Sequence, residues 1–297
     1  MRILVTGRDG QVARALLERG TGQGVDVVLL GRPELDLTAS SEAIGVALAG
    51  QRPDVIVAAA AYTAVDRAES EPDQAFAVNV RGAEAVARSA HLIGVPLIHL
   101  STDYVFDGEK ATPYVESDAA APRTVYGASK LAGERLVLAA QLDSVVLRTA
   151  WVFSPFGGNF VRTMLRLAES RAEVGVVQDQ RGNPTGALDI ADAVLAIAAN
   201  LLSNSSPDLR GVFHMASCAE ATWSTFAEAI FARSAERGGP TAAVRPISTA
   251  DYPTPAPRPA NSRLDCARLA ARHGVRLGDW RDALDTVITR LVTSSQG

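Results

Sequence analysis

Apolar positions in the first half of the chain fall into short unbroken runs, separated by longer segments with helical spacing. The runs are Ile3-Leu4-Val5, residues 25–30, Val55-Ile56-Val57-Ala58, Leu97-Ile98-His99-Leu100 and Val145-Val146-Leu147. They are rich in Leu and β-branched residues and do not alternate with polar ones. Strands covered on both faces read this way, as in a parallel sheet between helix layers. Between them, residues 11–19, 41–49, 73–93 and 126–141 have helical spacing, and Gly20, Gly50 and Gly94 follow three of these segments. Glycine just past a helix accepts a left-handed backbone without penalty, so each reads as a stop. Strand and helix alternating in this way predict an α/β chain with a doubly wound parallel sheet.

After Trp151 the rhythm loosens. Residues 174–177 and 211–215 read as strands, and 189–202, 222–237 and 281–292 as helices, with a proline-rich stretch at 252–259. The predicted division is a nucleotide-binding unit, 1–150, with a returning segment near 186–215, and a smaller mixed α/β unit over 151–297 that mainly serves the substrate. No repeat of solenoid period is present.

Composition removes several classes. Lys and Arg number 29 against 33 Asp and Glu, a net charge of −4, and no run of five basic residues occurs. A nucleic-acid footprint is therefore unsupported. Apolar stretches break well before the ~18 residues of a membrane span, and the opening run is too short for a secretory leader. Cys218 and Cys266 form neither a disulfide framework nor a zinc motif. The expectation is a cytoplasmic protein with reduced thiols, no metal site, and no membrane or nucleic-acid partner.

Gly7-Arg8-Asp9-Gly10-Gln11-Val12-Ala13 follows the first strand directly and opens the first helix. Gly7 permits the tight turn, Gly10 lets backbone amides approach a pyrophosphate, and Ala13 is small where helix packs on strand. The anion then rests at the positive end of the helix. The bland reading is a strand–turn–helix with incidental glycines, and the context weighs against it. Beyond the second strand stands Gly31-Arg32-Pro33. An acid there would suit the ribose of NAD, whereas Arg32 suits a 2′-phosphate or is simply a solvated charge. NADPH or NADH is the expected cofactor.

Tyr126 and Lys130 are four residues apart, hence on one helix face. A free phenol has a pKa of about 10, and a neighbouring ammonium draws it toward the working range of a general acid. Ser101-Thr102-Asp103 ends the preceding strand, where such sheets present ligands. Thr102 is assigned to the substrate carbonyl oxygen, with Ser101 as competitor. Tyr104 has Gly108 rather than Lys four residues on and reads as structural or pocket-lining. Asn79 reads as a plain helix-face residue, unless it anchors a water relay to Lys130, a role that its resemblance to related reductases implies.

The spacing G-x-x-G-x-x-A resembles that of extended short-chain dehydrogenase/reductases with a Rossmann fold. Residues 61–69, 100–108, 125–134, 148–153, 159–160, 179–186 and 258–264, taken in order, resemble the dTDP-4-dehydrorhamnose reductases. That resemblance implies reduction of carbon 4 of dTDP-4-dehydro-β-L-rhamnose to dTDP-β-L-rhamnose, with Tyr126, Lys130 and Thr102 catalytic. It implies cofactor contacts at Gly7, Gly10, Gln11, Val12, Asp36, Leu37, Ala59, Ala60, Ala61 and Tyr62, and at Tyr126 and Lys130. Thr102, Asp103 and Trp151 match substrate contacts, Trp151 as an aromatic wall or else a core residue. Arg258, in the stretch reaching Arg263, offers a guanidinium to the diphosphate. Some members dimerise through magnesium held partly by the first helix, which here has no acid before Glu18. A monomer, or a homodimer without a metal bridge, is expected. Two other readings share this fold: a ketoreductase for another dTDP-deoxysugar, and a non-catalytic dinucleotide-binding subunit like that of methionine adenosyltransferase. A sugar-nucleotide epimerase is disfavoured by Arg32.

Overall fold

The computed structural model describes residues 1–293; positions 294–297 of the expected second unit lie outside the described residues. The five apolar runs form strands β1 (Arg2–Thr6), β2 (Asp26–Leu30), β3 (Val55–Ala58), β4 (Leu97–Thr102) and β5 (Ser144–Thr149). A further strand, Gly211–His214, lies beside β5, and from that edge the order continues β5, β4, β3, β1, β2. Every pairing in this sheet is parallel; Leu4, for example, is level with Val28 on one side and Ile56 on the other. From β1 the chain grows first toward β2 and then reverses to β3. The crevice left at their carboxyl ends is where such sheets hold ligands.

The flanking helices are α1 (Gln11–Gly22), α2 (Ser41–Ala49), the short α3 (Val65–Ala68) and α4 (Pro72–Phe76), α5 (Ala83–Ile93) and α6 (Val125–Ala140). Successive strand residues serve opposite faces. Ile3, Val5, Val57 and Leu147 pack in one core with Leu16 of α1 and with Val194 and Ile197 of the helix Ala187–Ser203. Leu4, Ile56 and Val146 pack in another, with Ile44, Leu48 and Val86. Both faces are covered, which explains the unbroken runs; each such aliphatic side chain contributes about 1.5–3 kcal/mol on burial.

Two local expectations are corrected. Gly20 does not stop α1 but lies within it, where an added Cβ would stand 2.3 Å from Val27 Cγ2. Its smallness serves helix–strand contact. Residues 73–93 are not one helix: α4 passes into a π-helical turn, Ala77–Gly82, before α5 begins. That wide turn buries Asn79 and brings Gly82 against the Leu37 carbonyl. Gly94 does end α5 in the left-handed conformation, at φ 79°.

The smaller lobe packs Phe153, Met164, Val174, Phe226, Trp280 and Ile288 into a core of its own. Its helices include Phe160–Ala168, Trp223–Ala235 and Trp280–Thr293, and Glu173–Val177 pairs in parallel with Ala243–Ile247. The last of these strands escapes sequence reading because Pro246 speaks against a strand; a two-stranded ribbon has only edges, where proline is tolerated. Among the described residues no helix is long and apolar enough to cross a membrane.

Candidate active site

The sheet's carboxyl edge opens into two joined clefts. The first, of about 730 Å³, is lined by Gly7, Arg8, Arg32, Asp36, Leu37, Ala60, Ala61 and Tyr62 among others. The second, of about 680 Å³, shares Gly7, Asp9, Ala60 and Ala61 with it. It continues past Gly10, Gln11, Val12 and Ala59 to Thr102, Asp103, Tyr126, Lys130 and Trp151. The structure thus gathers every expected cofactor residue along one groove.

A dinucleotide fits this groove. Helix α1 begins on Gly10 with no side-chain cap and no acidic residue in its first turn, so its leading amides are available to an anion. A Cβ on Gly10 would meet nothing within 4 Å, whereas Gly7 turns at φ 101°. At the other end Arg8, Arg32 and Arg67 border the cleft, with Arg8 Nη2 2.8 Å from Glu34 Oε2. Asp36 accepts from the Thr38 amide and hydroxyl at 2.8 and 2.7 Å, and these bonds hold its carboxyl below the usual range. Gln11 does more than line the wall: its Oε1 accepts from Ser154 Oγ at 2.8 Å and Asn159 Nδ2 at 3.0 Å, tying the glycine turn to the second lobe.

Tyr126 and Lys130 arise from α6, whose start is set by Thr124 accepting from the Gly127 amide at 2.9 Å. Gly127 and Gly133 let the helix approach closely, since Cβ atoms there would stand 2.2 Å from the Tyr104 carbonyl oxygen and 2.1 Å from that of Asn79. Lys130 Nζ donates to the Leu100 carbonyl at 2.8 Å and faces His99 Nε2 at 3.3 Å. Burial lowers the Lys130 pKa to about 8, against the pull of the Glu134 carboxylate. Burial likewise holds His99 neutral.

The Tyr126 phenol departs from expectation. Burial raises its pKa above the ordinary value; Thr102 opposes this, and the charge on Asp103 adds to it. The lysine does not reverse the shift, because its ammonium is turned toward Leu100 and His99. The phenol therefore keeps its proton at neutral pH, as a proton donor must.

The two strand-end hydroxyls have different partners. Ser101 Oγ donates to Glu134 Oε1 at 2.5 Å, and Glu134 takes three further bonds from Arg148 at 2.7–3.2 Å. Thr102 Oγ1 faces the cleft, donating to Asp103 Oδ1 at 2.9 Å and accepting from the Tyr104 amide at 3.2 Å. Asn79 accepts from the Tyr62 amide at 2.8 Å and donates to the Tyr62 carbonyl and to Ser129 Oγ. It clamps the loop after β3 onto α6. The buried Ser101–Glu134–Arg148 group and His99 were missed by sequence reading. Glu134, one turn beyond Lys130, was the available signal.

On the substrate side, Asp103 is buried, which raises its carboxyl to about 6, with Thr102 and Ser262 opposing. Trp151 borders the cleft with its indole Nε1 3.0 Å from Ser262 Oγ. Arg258 stands apart from this wall, in a recess of about 200 Å³ that also meets Tyr104 and Arg123. Its Nη2 lies 2.6 Å from Asp66 Oδ2. Arg263 is committed to Glu220, Asn261 and the Ala111 carbonyl, so it has no guanidinium edge free for a diphosphate. Among the described residues no group of three or more His, Cys, Asp or Glu is placed to hold a metal ion.

A glycine turn at the switch point of a parallel sheet, with Thr, Tyr and Lys meeting further along the same groove, defines a nicotinamide-dependent reductase of the short-chain dehydrogenase/reductase type. The family model described as RmlD substrate binding domain matches residues 1–293. The dTDP-4-dehydrorhamnose reductase of Sinorhizobium fredii is 49% identical over 292 residues, 98% of each chain, and that of Escherichia coli is 39% identical over 99% of each. Among solved structures, a dTDP-4-dehydrorhamnose reductase from Clostridium acetobutylicum has a TM-score of 0.90 at 34% identity, covering 98% of this chain and 99% of its own. The enzyme from Bacillus anthracis, in complex with NADP, also scores 0.90, at 32% identity over 97% and 99%. The chain belongs to the dTDP-4-dehydrorhamnose reductase family.

Proposed function

We propose that this protein reduces the 4-keto group of dTDP-4-dehydro-β-L-rhamnose, giving dTDP-β-L-rhamnose, at the expense of NADPH or NADH. The observation that carries the reading is the meeting of Thr102, Tyr126 and Lys130 on one cleft that begins at the uncapped end of α1. Residues 1–150 with the returning segment 186–215 hold the cofactor, and the remainder of 151–297 holds the nucleotide sugar. The amides after Gly10 would hold the pyrophosphate. Asp36 and Leu37 lie toward the adenine, and Arg32 toward a 2′-phosphate.

When bound, the reduced nicotinamide supplies a hydride to the ketone carbon. Tyr126 gives its phenolic proton to the ketone oxygen, and Lys130, charged below pH about 8, offsets the phenolate left behind. Thr102 turns its hydroxyl from Asp103 to the same oxygen, adding a donor where negative charge develops. Trp151 and Asp103 border the sugar, and Arg258 reaches the diphosphate by giving up Asp66. The enzyme works in the cytoplasm, as a monomer or a homodimer without a bridging metal.

Incubating the purified protein with the 4-keto sugar nucleotide and either reduced cofactor tests this directly, with loss of the cofactor's absorbance as the readout. Turnover is expected; none with either cofactor overturns the reading. A regulatory binder would bind the dinucleotide and show the same absence of turnover.

A further inference from the structure

Trp151 is one of two non-glycine residues with positive φ, at 48°, among the described residues. A bulky side chain keeps such a backbone only where its surroundings over-determine it, and such strain collects at functional sites. Here the surroundings can be named. The Trp151 indole lies flat on that of Trp223, with ring centroids 3.6 Å apart and planes 7° from parallel. Gly182 also lies close to the ring, since a Cβ there would stand 2.4 Å from Trp151 Cε2. The ring's edge is fixed by Nε1 donating to Ser262 Oγ at 3.0 Å, and its backbone oxygen accepts from the Thr185 amide at 3.1 Å.

Trp223 is itself oriented. Its Nε1 donates to Gln180 Oε1 at 3.1 Å, Gln180 Nε2 donates to Thr249 Oγ1 at 3.0 Å, and the Phe160 ring packs at 4.6 Å. Trp223 does not line the cleft that Trp151 borders. It reaches the cleft only through the other indole.

We propose that Trp223 is a positioning residue for the nucleotide sugar: its indole, aimed by Gln180, stacks on Trp151 and sets the angle at which Trp151 meets the sugar. The proposal rests on Trp151 being a wall of the substrate site. A wall held in this way acts on binding of the sugar and leaves the cofactor end of the groove untouched.

The test uses Trp223→Phe and Trp223→Ala, with Trp151→Phe and the double variant Trp151→Phe/Trp223→Phe. Two stacked indoles couple their transitions, so circular dichroism of the native protein shows a paired exciton signal that Trp223→Phe and Trp151→Phe each abolish. In Trp223→Ala, KM for the nucleotide sugar rises about tenfold, as expected for a displaced positioning group. The value of kcat changes much less, dissociation of reduced cofactor is unchanged, and Trp223→Phe recovers part of the loss. In the double variant the two KM effects are not additive, because the residues act as one unit. If Trp151→Phe raises KM but Trp223→Ala does not, the positioning role is overturned while Trp151 keeps its place. If neither variant alters KM, the reading of Trp151 as a substrate wall fails as well. Should Trp223→Ala not fold, the KM rise and lost exciton signal in Trp223→Phe decide the matter.

Discussion

Arg148→Met isolates the buried ion pair behind the site. Arg148 and Glu134 are 6% and 2% exposed in their side chains and joined through both guanidinium and carboxylate edges. Methionine keeps much of the volume, including a chain that can lie against the Phe106 ring, over which the guanidinium carbon now stands at 5.1 Å. What it removes is, among the described residues, the only cation bonded to Glu134, leaving the Ser101 hydroxyl as that carboxylate's hydrogen-bond donor. Breaking such a pair from one side costs about 3–5 kcal/mol, because the surviving charge stays buried or must take up a proton. At about 2–4 °C per kcal/mol, melting falls by roughly 6–20 °C, and the size of this chain favours the lower part of that range. Arg148→Met/Glu134→Gln removes both charges and keeps an acceptor for Ser101, so it recovers most of the loss. Thermal melting of wild type, single and double variants decides the point. A single variant that melts with wild type, or a double variant as labile as the single, refutes the argument that an unpaired carboxylate is the source of the loss.

Tyr126→Phe removes the proton donor, and kcat falls by about 10²–10⁴ while affinity for reduced cofactor stays within a few-fold, measurable by fluorescence titration. Lys130 is cationic only below pH about 8 in the free protein. So kcat/KM for the reduced cofactor, which reports free-enzyme groups, falls as pH rises through that value, and Lys130→Arg carries this limb to higher pH; a profile unchanged by that substitution assigns the limb elsewhere. Two glycine replacements separate folding from binding. Gly133→Ala forces a Cβ to 2.1 Å from the Asn79 carbonyl oxygen and costs about 1–3 kcal/mol or more, seen as a lowered melting temperature, whereas Gly10→Ala has open space and melts normally. Gly10→Ala instead weakens cofactor binding by filling the approach to the α1 amides. Arg32→Ala raises KM for NADPH more than for NADH if that guanidinium meets a 2′-phosphate, and equal effects on both cofactors remove it from the role.

The fold was legible where burial acts on strand periodicity. Because both faces of β1, β3 and β5 are covered, their runs lose alternation, and that loss is itself the signal for a parallel sheet. The site was legible where chemistry constrains neighbours along the chain: the glycine turn, and Tyr126 with Lys130 one helical turn apart. It was not legible where constraint runs through space. Ser101 and Thr102 look equivalent in sequence, yet adjacent strand residues face opposite ways, so the Ser101 hydroxyl is bonded to Glu134 and that of Thr102 to Asp103. Asn79 reads as a helix-face residue because nothing nearby announces a π-turn; its bonds are to Tyr62 and to Ser129. The phenol's upward shift has the same origin. Spacing supplies the amine's proximity, but whether its charge reaches the hydroxyl depends on where Nζ points, and β4 takes that direction for itself through Leu100 and His99.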